Sequence, residues 1–74
     1  MPDQTVDATN VLCPLPVIKA KKALRQMSKG QTLLVRTTDP VALIDIPHMC
    51  KQFAFELIET KELEVSHEFL IRKS

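Results

Sequence analysis

A chain of 74 residues with 45% hydrophobic and 26% charged residues has the composition of a soluble globular domain. It is expected to form one domain over residues 1–74, too small for an active-site cleft between two lobes, so any chemistry must sit on its surface or be completed by a partner. No apolar run is long enough to cross a bilayer, and Met1-Pro2-Asp3-Gln4 lacks the basic and apolar segments of a secretory leader; a cytoplasmic protein without membrane contact is expected.

Net charge is +1, but it is unevenly spread. Residues 1–37 carry six Lys/Arg against two Asp/Glu, and residues 38–74 carry four against seven. The excess lies between Lys19 and Lys29. This argues for one basic face and against a uniformly basic nucleic-acid binder. The absence of Trp and Tyr, and of any Gly-rich loop, argues against base stacking and phosphate cradling.

In chain order, Thr5-Val6-Asp7 reads as a short strand and Ala8-Thr9-Asn10 as a turn, since Asn tolerates left-handed backbone. Cys13-Pro14-Leu15-Pro16 opens a helix running to about Ser28. Val17, Ala20, Leu24 and Met27 form its apolar stripe, and Lys29-Gly30 is the stop signal. Gln31 to Thr37 alternates as a strand, with Leu33, Val35 and Thr37 on one face. Asp39 is expected to cap a second helix, with Pro40 at its first position. Pro47 implies either an irregular start, with regular helix from about Asp45, or a kink; the helix is expected to end near Phe53.

Phe55 to Thr60 suits a third strand, Lys61-Glu62 a turn, and Leu63 to Ile71 a fourth strand that places Leu63, Val65, His67, Phe69 and Ile71 on one face. The order strand, helix, strand, helix, strand, strand fits an α+β, two-layer sandwich: βαβαββ, with both helices on one face of a four-stranded mixed sheet. The other face would stay partly open, with Leu34, Ile58 and Leu70 on it.

Cys13 is the residue with the clearest chemical setting. Pro14 pushes it toward extended backbone, the geometry of a helix N-cap. Pro14 and Pro16 would then occupy positions whose N–H groups have no partner within the helix. Leu15 N–H is left as the natural donor to the sulfur. The helix dipole and the downstream cations would favour the thiolate, which is the nucleophile.

Cys50, beside Met49, reads as a packing residue. Cys13, His48, Cys50 and His67 fit no zinc-site spacing, so no metal is expected. His67 reads as a sheet-rim residue, and Asp7, Asp39 and Asp45 read as turn and cap residues.

Cys13-Pro14-Leu15-Pro16 resembles the Cys-Pro-x-Pro signature of the TusA/SirA-like sulfur-carrier family. Val6-Asp7-Ala8, Lys21-Lys22-Ala23-Leu24, Gly30-Gln31-Thr32-Leu33, Asp39-Pro40, Asp45-Ile46-Pro47 and Phe69-Leu70-Ile71-Arg72-Lys73 extend the resemblance in register over nearly the whole chain. The resemblance implies a two-layer α/β sandwich and a persulfide carried on Cys13, with Pro14 and Pro16 as its support. It also implies a sulfur donor such as a cysteine desulfurase and an acceptor protein in a sulfur relay.

The best-studied destination in the family is thiolation of the tRNA wobble uridine, giving 2-thiouridine. Other members serve sulfur oxidation, molybdenum-cofactor sulfur supply or selenium metabolism. Asn10 and Ala54 stand where Gly is common in the family. This scheme requires no cofactor, makes any tRNA contact indirect, and suits a monomer.

Lys19, Lys22 and Arg25 are the expected docking cations. The alternative is a non-catalytic protein- or RNA-binding regulatory module that uses the basic helix or the open sheet face. A thiol redox protein would be a third reading, but no resolving cysteine lies near Cys13 in sequence.

Overall fold

The computed structural model describes residues 2–74. Its elements are β1 (Gln4–Ala8), α1 (Leu15–Arg25), β2 (Thr32–Thr37), α2 (Ala42–Gln52), β3 (Glu56–Glu62) and β4 (His67–Arg72). This is the expected βαβαββ order. The four strands form one mixed sheet in the order β1-β2-β4-β3.

β1 and β2 run parallel, with Val6 opposite Val35, because α1 carries the chain back across the sheet between them. β4 pairs antiparallel with β2 on one side and with β3 on the other. α1 packs on β1 and β2, and α2 on β3 and β4.

The core lies between the two layers. Leu24 of α1 and Ile46 of α2 are fully buried against Leu33 and Val35 of β2 and Phe69 and Ile71 of β4. The strand residues are the ones that the two-residue period assigns to a single face. Leu34 and Leu70 on the opposite face are half-buried.

Several boundaries depart from the sequence expectation. α1 ends at Arg25 rather than Ser28, because the Gln26 and Met27 N–H groups donate to the carbonyls three residues back, at 3.1 and 3.2 Å, which tightens the last turn. Met27 still packs into the core. Gly30 has φ of +92°, the left-handed turn expected of it.

α2 starts at Ala42 with Val41 at its cap, not at Pro40. The approach is a run of turns closed by bonds three residues back, from Ala42 N–H to Asp39 O and from Leu43 N–H to Pro40 O. An irregular start is therefore present, but the regular helix begins before Asp45 and takes Pro47 into its interior.

The β3–β4 hairpin differs most. β3 continues to Glu62, and the reversal lies at 63–66, closed by Leu63 N–H donating to Ser66 O at 2.8 Å. Leu63 and Val65 are outside the sheet, with Val65 80% exposed. The alternation that suggested a longer β4 is a turn with apolar residues. β3 also shifts register between Leu57 and Glu59, which displaces Ile58 from simple pairing.

Candidate functional site

The site lies at the pole where the parallel strands β1 and β2 end and both helices begin, the end of such a sheet where ligands and catalytic groups usually collect. After β1, Asp7 Oδ1 accepts from both Thr9 N–H at 3.0 Å and Thr9 Oγ1–H at 2.6 Å, which folds the turn. The hydroxyl and the N–H of Thr9 hold the Asp7 carboxyl below its ordinary pKa. Asn10 has φ of 63°, the left-handed conformation expected of it, and its N–H donates to Thr38 Oγ1 at 2.9 Å. This bond ties the segment leading to Cys13 to the end of β2.

Cys13 is exposed. Its backbone N–H donates to Asp39 Oδ2 at 2.7 Å. Its thiol donates to Asp45 Oδ2 at 2.8 Å. Asp39 itself is fixed, since its N–H donates to the buried Thr37 Oγ1 at 3.1 Å and its Oδ1 accepts from Val41 N–H at 3.1 Å. Asp39 therefore serves both as the Asx turn leading into α2 and as the anchor of the Cys13 backbone. Asp45 reaches the sulfur from the first turn of α2.

The helix-start geometry corrects two expectations. Pro14, not Cys13, is the N-cap residue of α1, and Leu15 and Pro16 are the first two helical positions. Leu15 N–H donates to Leu12 O at 2.9 Å and is not available to the sulfur. The Cys13–Pro14 peptide bond is cis. Pro16 is fully buried in the first turn of α1.

A further correction concerns charge. The hydrogen bond to Asp45 pushes the Cys13 thiol above its ordinary pKa, with local desolvation and the Asp45 and Asp39 charges acting in the same direction. The thiol, not the thiolate, is the favoured resting form. Nothing in the spacing of the chain predicts this contact, because Asp45 lies 32 residues from Cys13. Sequence position marks Asp39 and Asp45 only as cap residues, and the structure brings both onto the cysteine.

Exposed apolar side chains stand at the starts of both helices. Leu12 (72% exposed) precedes Cys13, Leu15 and Ile18 lie at the start of α1, and Val41 and Ile44 (72% exposed) stand at the start of α2. A shallow groove between the helices begins at Pro14 and Asp45 and runs past His48 and Met49 to Phe53. Lys21 borders this groove, its ammonium 4.8 Å from the centre of the Phe53 ring.

Lys19, Lys22 and Arg25 are exposed on α1, spaced by three residues, and none forms a salt bridge among the described residues. Cys50 is buried in α2, and burial pushes its thiol up to about 11. His67 begins β4 opposite Thr37, half-buried, with its Nδ1 lacking a hydrogen-bond partner. No group of three or more His, Cys, Asp or Glu side chains placed to hold a metal ion occurs among the described residues. No described helix is long and apolar enough to cross a membrane.

The fold is a two-layer α+β sandwich with one exposed thiol at this pole, beside the groove between the helices. The family profile described as sulfurtransferase TusA matches residues 4–73, and the chain belongs to that family. It is 47% identical over 72 residues to the sulfur carrier protein TusA of Allochromatium vinosum, covering 97% of this chain and 95% of that protein. The crystal structure of a SirA-like protein from Desulfitobacterium hafniense superposes with a TM-score of 0.82 at 28% identity, covering 93% of this chain and 95% of that one. The fold expectation and the family resemblance both hold. Sulfur carriage is the activity of the family to which the chain belongs.

Proposed function

We propose that the chain is a single carrier domain that relays sulfane sulfur as a persulfide on Cys13. The sulfur comes from a cysteine desulfurase or another sulfane donor and passes to an acceptor protein. Formation of 2-thiouridine in tRNA is the proposed destination, with tRNA contacted indirectly. The supporting observation is the position of Cys13: exposed, anchored through its backbone by Asp39, and set between helix starts that carry exposed apolar side chains.

The transfer is redox-neutral. Cys13 Sγ attacks the outer sulfur of the donor persulfide, the donor S–S bond breaks, and its electron pair stays on the donor sulfur. The proton lost from Cys13 neutralises the departing donor thiolate. A second, reverse exchange then delivers the sulfur to the acceptor. None of these steps needs an oxidant, a reductant or a resident cofactor.

The dry contact around the sulfur would come from Leu12, Leu15 and Ile18. Lys19, Lys22 and Arg25 would meet acidic groups at the rim of the partner, and a monomer leaves this face free for successive partners. Incubation with a cysteine desulfurase and cysteine, followed by intact mass measurement, tests the reading. The expected result is a gain of one sulfur atom that is lost in Cys13→Ser. Loading on Cys50 would refute the site assignment. No loading by several donors would favour a non-catalytic binding module on the same basic face.

A further inference from the structure

The surroundings of Cys13 oppose a negative sulfur, although a carrier must at some point use one. The helix start offers the sulfur little compensation. Pro14 and Pro16 have no N–H, and the Leu15 N–H is engaged by Leu12 O. From the β2–α2 connection, Asp39 takes the Cys13 N–H; from α2, Asp45 takes the thiol proton at 2.8 Å.

Two other titratable groups border the adjoining groove: His48 from α2, and Lys21 from α1, which lies over the Phe53 ring. No described cation forms a salt bridge with Asp39 or Asp45. Both nearest charges are therefore carboxylates without a pairing cation. Ionising the sulfur would break the bond to Asp45 and place a third negative charge beside them.

We propose that Asp45 is a positioning residue that acts as a latch on Cys13, holding the unloaded sulfur as a hydrogen-bonded thiol that becomes nucleophilic when this bond is broken. The inference deepens the carrier reading and rests on it for its place in the reaction. A latched thiol resists alkylation and oxidation between partners, because the thiolate is the reactive form. Release of the latch starts the exchange described above: the Cys13–sulfane bond forms, the donor S–S bond breaks, and the thiol proton ends on the departing donor sulfur.

The test uses the full chain and iodoacetamide. The alkylation rate of Cys13 is followed from about pH 6 to about pH 10, with peptide mapping to exclude Cys50. In Asp45→Asn, whose amide keeps the shape but not the charge, the midpoint should fall. A midpoint lower by about one pH unit gives about ten-fold more thiolate at neutral pH, and the lower basicity removes about three-fold of its nucleophilicity. The neutral-pH rate should therefore rise about three-fold for every pH unit by which the midpoint falls. An unchanged midpoint, a higher midpoint, or slower alkylation at every pH overturns the latch.

A second measurement needs no variant. The carboxyl carbon-13 resonance of Asp45 should respond at the same pH as the Cβ resonance of Cys13, and an Asp45 signal indifferent to that ionisation also overturns the latch. Loading by a small organic persulfide separates this inference from the carrier reading. Failure to load with a lowered alkylation midpoint removes the carrier role and leaves the latch, whereas normal loading with an unmoved midpoint removes the latch alone.

Discussion

Asp39 carries more of the site than its place before a helix suggests. Its carboxylate takes the N–H groups of Cys13 and Val41, so one side chain joins the cysteine segment to the start of α2. It is 6% exposed, and truncation would leave two N–H groups poorly satisfied. Asp39→Ala should lower unfolding stability by about 2–3 kcal/mol in urea titrations, while Asp39→Asn, which keeps one acceptor oxygen, should cost about 1 kcal/mol. Equal losses in the two variants would mean that charge, not hydrogen bonding, sets the contribution. At this scale the sequence disclosed the cysteine but not its chemistry. The flanking prolines marked Cys13 as the end of a rigid element, a local effect readable from three neighbours. Its thiol state is set by Asp45, which only the tertiary fold brings near, and the local argument from the helix dipole therefore pointed the wrong way.

Among the elements, the end of α2 stores the clearest strain. Phe55 N–H donates to Cys50 O at 2.8 Å and Ala54 N–H to Lys51 O at 3.4 Å, which is the Schellman pattern. The left-handed position in that pattern belongs to Ala54, with φ of 59°. A side chain in this conformation costs about 1–2 kcal/mol, of which the greater flexibility of Gly in the unfolded chain cancels about 0.5–1 kcal/mol. Ala54→Gly should therefore stabilise the protein by about 0.5 kcal/mol, seen as a rise in Tm of roughly 2–4 °C. A fall in Tm would show that the turn tolerates its methyl group without strain. Core elements were legible because burial on one face imposes a period: Leu33, Val35, Phe69 and Ile71 alternate as the sheet requires. Leu63 and Val65 alternate too, but they face solvent in the hairpin turn. A two-residue period identifies a face only where a second layer covers it, and no helix covers the end of the hairpin.

Across the whole molecule, the charge imbalance of the sequence becomes a direction in space. α1, which has no acidic residue in its sequence Leu15–Arg25, packs over the β1–β2 side of the sheet. Glu56, Glu59 and Glu62 lie on β3, the strand at the opposite edge. The resulting dipole places the cations of α1 beside the exposed Leu15 and Ile18 and the acidic edge away from them. A partner with an acidic rim would therefore approach already turned toward Cys13, a kinetic effect more than an affinity effect. Lys19→Glu combined with Lys22→Glu reverses this bias and leaves Arg25 at the end of the helix, where a cation suits the dipole. At low ionic strength, loading by a protein sulfur donor should slow about ten-fold. The difference should shrink toward zero near 1 M salt, where the Debye length is about 3 Å. Loading by a small organic persulfide should change little, because it needs no oriented encounter. Equal slowing with both donors would mean that the substitutions disturb Cys13 itself, and an unchanged rate with the protein donor would remove Lys19 and Lys22 from the docking face.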